Sequence, residues 1–418
     1  MDYFEIEGKN QLFGDITVSG AKNAVLPLMA ASILNDKPLT ISNVPKLSDS
    51  ITMGNLIKEM GGEVSFEESN IFINPKNLNT PYAPYKLVKT MRASFYVLGP
   101  LIAKFGEAKV SLPGGCAWGP RPVDFHLEGL KKLGIDITLE AGYVIAKAKK
   151  MIGNKIRFPK ISVGATGNVL MAAVLAEGQS EIHNAAAEPE IQQLCFLLNQ
   201  MGAKISGIGT NLLTIEGVES LGGVDSIDVI PDRIEAGTFL IAVAATGGKV
   251  KLNNVEPKHM ESVINLLRKS GIDIIEDKKS ITVTSNGLDI KACNMETHEY
   301  PGFPTDLQAQ WMLLMSLASG NSTIKENIYF DRFTHILELN RLGCDVHLED
   351  GCASIKGDRS LIGANVMSTD IRASAALIIG ALCADGATNL SRVYHIDRGY
   401  DKIEEKLAKV GAKITRKK

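Results

Sequence analysis

The residues best suited to chemistry lie in one thirteen-residue stretch, Leu112-Pro113-Gly114-Gly115-Cys116-Ala117-Trp118-Gly119-Pro120-Arg121-Pro122-Val123-Asp124. It holds three Gly, three Pro, one Cys and one Arg. Gly opens backbone conformations closed to other residues, and Pro removes amide donors and breaks helices. The stretch reads as a loop between a strand-like run, Ala108 to Leu112, and a helix-like run, Phe125 to Leu133. A free Cys usually behaves as a small buried hydrophobe. A thiol on such a loop beside Arg121 is placed instead to act as an acid or a nucleophile, because a nearby cation favours thiolate. Other cations, taken singly, read as surface charges: Lys22, Arg92, Arg332, Arg372 and Arg398. Three of them recur just before apolar helical runs: Lys22 before Ala24, Arg92 before Phe95 and Arg372 before Ala375. Helix N-termini favour anions, so this clustering points to an anionic substrate. Asp306 follows Pro304-Thr305 and precedes an apolar run from Leu307. It reads either as an ordinary N-cap or as a carboxylate base for a hydroxyl within reach.

The elements that must position these residues follow from length and repetition. At 418 residues the chain is too long for one ordinary hydrophobic core, and two domains are expected. A net charge of -2 argues against a nucleic-acid partner or a membrane-surface role. The acidic start Met1-Asp2-Tyr3-Phe4-Glu5 lacks a signal-peptide pattern, and no apolar run approaches the roughly 18 residues that span a bilayer. The six Cys are scattered without a C-x-x-C, and the seven His show no ligand spacing. Reduced thiols in a cytoplasm fit that pattern better than disulfides or zinc. No metal and no cofactor is expected. Gly207-Ile208-Gly209 is discarded as a dinucleotide fingerprint because Leu212 stands where a Gly is needed.

One phrase recurs six times, from Glu59-Met60-Gly61-Gly62 to Lys409-Val410-Gly411-Ala412, with its first Gly at 61, 134, 202, 271, 343 and 411. Each copy reads as a helix end, a Gly cap and a strand. Upstream of each lies a compact apolar helix: Ala24 to Leu34, Phe95 to Ala103, Val169 to Ala176, Phe239 to Ala245, Trp311 to Ala318 and Ala375 to Ala384. Helices apolar nearly all round are buried on every side. The second helix of each unit, such as Ile191 to Met201, mixes charge with an apolar stripe and should face solvent on one side. Six units of this kind suit two lobes of three, each with apolar helices inside a sheet-lined core.

Five motifs together carry a family resemblance: Gly20-Ala21-Lys22-Asn23-Ala24, the Cys116 loop, Ser162-Val163-Gly164-Ala165-Thr166, Ala187-Glu188-Pro189-Glu190-Ile191 and Pro231-Asp232-Arg233-Ile234-Glu235. With Tyr300 to Asp306 and Asp397-Arg398-Gly399-Tyr400, the chain resembles the UDP-N-acetylglucosamine 1-carboxyvinyltransferases of the enolpyruvyl transferase family along essentially its whole length. The resemblance implies an α/β fold, a two-lobed inside-out α/β barrel of six βαβαββ repeats, three per lobe. It implies lobes at 22–229 and at 1–21 plus 230–418, with the active site in the cleft between them. Trp118 and Pro120 depart from the family's usual smaller residues and put the loop's closing motion in question more than its chemistry.

The implied reaction moves the enolpyruvyl group of phosphoenolpyruvate to the 3-hydroxyl of UDP-N-acetylglucosamine, releasing phosphate. The resemblance makes Cys116 the general acid and Asp306 the base. Lys22, Arg121 and Arg398 would lie closest to phosphoenolpyruvate, and Arg92, Arg332 and Arg372 would complete the basic cleft. Asn23 would meet the sugar. Arg121, Pro122, Val123 and Asp124, with Lys160, Ser162, Val163 and Gly164, would hold the uridine diphosphate. Arg92, Asp306, Ile328 and Tyr329 would line the nucleotide-sugar pocket, and Asp370 would orient catalytic side chains. Glu188, Glu190, Asp232 and Arg233 read as structural: helix starts and ion pairs between lobes. A monomer acting on two small molecules is expected.

Three rivals are weaker. The sister enzyme that makes 5-enolpyruvylshikimate 3-phosphate carries a Gly-Asn-Ala-Gly-Thr signature absent here. A non-catalytic UDP-sugar-binding paralogue would not need Cys116, Asp306 and all six cations. A cyclase for RNA 3′-phosphate ends would need a basic tract. The resemblance also implies inhibition by fosfomycin through alkylation of Cys116. A Cys116→Asp variant is expected to stay active and resist fosfomycin in a phosphate-release assay; a sensitive variant would remove the thiol from this role.

Overall fold

The computed structural model describes residues 2–113 and 123–418. The chain divides into two compact units, Gly20–Ile230 and a second made of Met1–Ser19 with Pro231–Lys418. Among the described residues, strands form six four-stranded sheets, three in each unit. All six share one plan: a single parallel pair at one edge, followed by two antiparallel pairs. The N-terminal strand Tyr3–Glu7 lies between Ala387–Ser391 and Lys413–Lys417, with Phe4 opposite Leu390 and Ile6 opposite Ile414. The next strand, Leu12–Thr17, pairs in parallel with Gly248–Asn253. Both ends of the chain are thus built into the second unit.

Inside each unit the apolar helices pack together. In the second unit, Arg233–Thr246, Gln308–Leu317 and Ile371–Cys383 contact one another pairwise. Trp311 is completely buried among them and meets Phe303 edge to face at 5.6 Å. In the first unit, Leu98–Phe105 packs on Val163–Ala173, and Lys22–Ala31 packs on the short 3-10 segment Arg92–Val97. Burying each large aliphatic side chain contributes roughly 1.5–3 kcal/mol. These helices begin earlier than the apolar runs suggest: at Lys22 rather than Ala24, at Val163 rather than Val169, at Arg233 rather than Phe239 and at Ile371 rather than Ala375. Their first turns mix cationic, polar and small residues, so hydrophobicity does not mark them.

The second helix of each repeat ends in the same way. All six phrase glycines follow a helix C-cap and have positive φ, from 83° at Gly134 to 107° at Gly411. After Pro189–Gln200, the Gly202 amide bonds Asn199 O at 3.0 Å and the Ala203 amide bonds Leu198 O at 2.9 Å. That pair of bonds satisfies the last helix carbonyls and turns the chain into the strand Lys204–Ser206. Among the described residues, no helix is long and apolar enough to cross a membrane.

Gly202 has φ 102° and open space where a Cβ would sit, so an Ala there meets only backbone strain. Gly202→Ala is expected to destabilise by about 1–2 kcal/mol, read as a lower urea midpoint. An unchanged midpoint would mean that the left-handed cap is dispensable.

Candidate active site

In the second unit the site residues converge on Asp306. It lies in the 3-10 turn Thr305–Leu307, after Pro304 and before the helix Gln308–Leu317. Its side chain caps neither element, which corrects the N-cap reading. It accepts instead from two guanidinium groups: Arg332 Nη2 at 2.7 Å on Oδ1 and Arg372 Nη2 at 3.0 Å on Oδ2. Both arginines are about nine-tenths buried or more. Burial alone would raise the Asp306 pKa, but the Arg372 and Arg332 charges outweigh it and hold the carboxyl far below the usual range. Asp306 is therefore a carboxylate at any ordinary pH.

Each arginine has its own support. Arg372 is the second residue of Ile371–Cys383, where a cation opposes the helix dipole. Asp370 offsets this as N-cap, accepting from the Arg372 and Ala373 amides at 2.8 and 3.1 Å. Arg332 Nη1 donates to Thr305 Oγ1 at 3.0 Å, and Thr305 donates to buried Glu326 at 2.9 Å. Glu326 also accepts from the Thr297 hydroxyl and from the Ile328 and Tyr329 amides. One carboxylate thereby orders both the Ile328 segment and the Arg332 side chain. Arg398 ends the 3-10 segment Val393–Arg398, and its neighbour Asp397 is gripped by both terminal nitrogens of Arg416 at 2.6 and 3.0 Å.

In the first unit, Lys22 is the first residue of Lys22–Ala31, and its Nζ lies 3.2 Å from Asp49 Oδ2. Asp49 sits in the first turn of Ser48–Glu59 and is itself buried. Asn23 follows, half-buried. A second cluster forms around buried His126, whose ring meets Phe95 edge to face at 5.1 Å and whose Nδ1 lies 3.1 Å from Asn168 Nδ2. A Cβ on Gly164 would stand 3.1 Å from His126 Nε2, a tight contact, so Gly lets the start of Val163–Ala173 lie close over this ring. The Arg92 charge acts on the same histidine. The helix start is capped by Ser162, which accepts from the Ala165 amide at 3.3 Å. The Val163 and Gly164 amides are among the first N–H groups of that terminus, which have no partner within their own helix. Val123 is buried, whereas Asp124 and Lys160 are exposed. Cys116, Arg121 and Pro122, with Trp118 and Pro120, lie outside the described residues.

Arg332, Arg372 and Asp306 thus share one network, and Arg92 and Gly164 share another through His126. Asp232 caps Arg233–Thr246, accepting from Ile234 and Glu235. Asp49, His126, Glu326 and Arg416 escaped the sequence reading, because each acts on a partner distant in the chain and carries no local motif.

Two proteins named UDP-N-acetylglucosamine 1-carboxyvinyltransferase, from Hydrogenovibrio crunogenus and Chlorobium limicola, are each 51% identical to this chain, with at least 99% of both partners covered. The chain belongs to the UDP-N-acetylglucosamine 1-carboxyvinyltransferase family. The broader family model described as EPSP synthase (3-phosphoshikimate 1-carboxyvinyltransferase) matches residues 6–407. The enolpyruvyl transferase NikO from Streptomyces tendae superposes with a TM-score of 0.91 at 23% identity, covering 99% of this chain and 98% of its own. EPSP synthase from Acinetobacter baumannii gives 0.78 at 19% identity, covering both chains fully. At these identities the two structures establish the fold, an enolpyruvyl transferase α/β architecture.

The buried histidines are expected to make this fold acid-sensitive. Burial, and next the Arg92 charge, lowers the His126 pKa to about 3; burial, and next Arg332, lowers that of His335 to about 3. Unfolded, each titrates near 6.5. Between these values the unfolded chain takes up protons that the folded chain refuses, so stability is full above about pH 6.5 and declines as the pH falls. The stability contributed by the Asp306 pairs begins to fall only below about pH 5, where the unfolded carboxyl starts to gain protons, so the decline above that belongs to the histidines. Neither ring nitrogen of His335 has a hydrogen-bond partner among the described residues. A His335→Met variant is expected to lose less stability than the parent between about pH 6.5 and 4.5, by chemical denaturation. An equal loss would assign the acid sensitivity elsewhere.

Proposed function

We propose that this chain transfers the enolpyruvyl group of phosphoenolpyruvate to the 3-hydroxyl of UDP-N-acetylglucosamine, with release of phosphate, as the first committed step of peptidoglycan precursor synthesis. The observation that carries this reading is the 51% identity along the whole chain to proteins bearing that name. In the addition step the sugar oxygen bonds to C2 of phosphoenolpyruvate. Cys116 delivers a proton to the methylene carbon, and Asp306 takes the hydroxyl proton. In the elimination a proton leaves the new methyl group, the C2–O–phosphate bond breaks and the vinyl group returns.

The Asp306 geometry adds a condition. A carboxylate clamped by two guanidinium groups is a weak base. Proton uptake requires that Arg332 or Arg372 turn at least partly to another anion, and phosphoenolpyruvate supplies both a phosphate and a carboxylate. Binding of the donor would thus raise the basicity of Asp306 as it fills the site. Lys22, Arg92, Arg121 and Arg398 would supply the remaining positive charge, which stabilises the anionic intermediate. The Val163 and Gly164 amides suit the diphosphate, with Lys160, Ser162 and the 121–124 segment beside it. Asn23 and Ile328 would face the sugar. The five described cysteines are free, which fits a cytoplasmic reaction.

The broader family match favours one alternative acceptor, shikimate 3-phosphate. Phosphate release from phosphoenolpyruvate is expected with UDP-N-acetylglucosamine and not with shikimate 3-phosphate. The reverse pattern would transfer the chain to the sister activity. An Asp306→Asn variant is expected to lose activity by roughly 10²–10⁴-fold in the same assay, as for loss of a general base.

A further inference from the structure

Tyr400 lies directly behind the Asp306–Arg372 pair, and none of the roles assigned above involves it. The Arg372 guanidinium carbon sits 5.5 Å from the centre of its ring. The tyrosine is buried, with 2% of its surface exposed. Its hydroxyl lies 2.8 Å from Thr238 Oγ1 and accepts from Gln310 Nε2 at 3.3 Å. Thr238 spends its own proton on Ile234 O at 2.9 Å, so the tyrosine donates to the threonine. Gln310 Nε2 also reaches Thr238 Oγ1 and the Asp306 carbonyl, at 3.1 and 3.3 Å. The hydroxyl is therefore fixed to two of the buried helices, and the ring faces the cation on the third.

The backbone before Tyr400 is held to the same place. A Cβ on Gly399 would stand 2.3 Å from Ile371 Cγ2, so only Gly lets Arg398-Gly399-Tyr400 lie against the first turn of Ile371–Cys383. Arg372 Nη2 is taken by Asp306, while Nη1 is buried and the Tyr400 hydroxyl bears on the same guanidinium. The guanidinium thus has one arm committed to Asp306, and the plane in which it lies is set by the ring behind it.

We infer that Tyr400 is a positioning residue for the anionic donor: its ring holds the Arg372 guanidinium in the orientation from which it serves phosphoenolpyruvate, while its hydroxyl serves chiefly to anchor the ring. The inference rests on the proposed reaction and assigns ring and hydroxyl separate duties. A cation over an aromatic face, desolvated, is attracted strongly enough for its loss to weaken donor binding about tenfold.

The test uses the full-length chain with Tyr400→Leu, Tyr400→Phe and Thr238→Val. Tyr400→Leu is expected to raise the KM for phosphoenolpyruvate about tenfold while the Kd for UDP-N-acetylglucosamine stays within about twofold. Tyr400→Phe and Thr238→Val keep the ring and are expected to hold that KM within about threefold, although each lowers the melting temperature by leaving buried polar groups unpaired. A KM that rises equally in the Leu and Phe variants, or that tracks the melting temperature across all three, would overturn the positioning role. So would a Leu variant with unchanged KM. The parent is run alongside: a parent that releases no phosphate with UDP-N-acetylglucosamine would overturn the reaction itself rather than the role of Tyr400.

Discussion

Asp306 sits between Arg332 and Arg372, and the surrounding architecture is what keeps those three charges together away from water. Removing ions from water costs several kcal/mol each, and mutual attraction offsets this only when the geometry is good and the remaining donors and acceptors are used. Here Thr305 and Glu326 take the second arm of Arg332, Asp370 caps the turn that carries Arg372, and the Tyr400 ring backs its guanidinium. The Tyr400 hydroxyl bears on the same guanidinium.

The same logic governs the first unit. Helices Lys22–Ala31 and Val163–Ala173 and the segment Arg92–Val97 carry no acid in their first turns, although acids are favoured there. Two of these starts carry a cation instead. Such a start is electrostatically unfavourable unless an anion is supplied. Asp49 supplies one for Lys22 from a neighbouring helix. The proposed substrates, a phosphorylated acid and a nucleotide diphosphate, would supply others. The proposed anionic substrates would suit this repeated departure from the ordinary rules of helix termini.

Burial then separates groups that titrate from groups that do not. His126 and His335 are kept neutral by burial and by a nearby arginine, and Asp306 is kept charged by two. Neutral histidines beside Arg92 and Arg332 add no further positive charge where cations are already crowded. Stability in mild acid is the corresponding cost.

The helix ends were legible in the sequence because a Gly cap is a local device: the six recurrent glycines have the left-handed backbone that only their residue type adopts easily. The apolar helices were legible for the same reason, since uniform hydrophobicity over ten residues implies burial whatever lies around it. Their first turns were not, because polar residues such as Lys22, Ser162 and Arg372 interrupt the pattern where the chemistry is placed. Nor could the sequence show that Asp306 faces arginines 26 and 66 residues away rather than its own helix amides. A carboxylate before a helix satisfies the capping pattern equally well, and only packing of three buried helices decides which donors reach it. The sequence by itself determined the repeat, the buried helices and the family. The tertiary structure decided the pairings Asp306 with Arg332 and Arg372, Lys22 with Asp49 and Arg372 with Tyr400, because electrostatic and ring contacts depend on distance in space, which spacing along the chain does not encode.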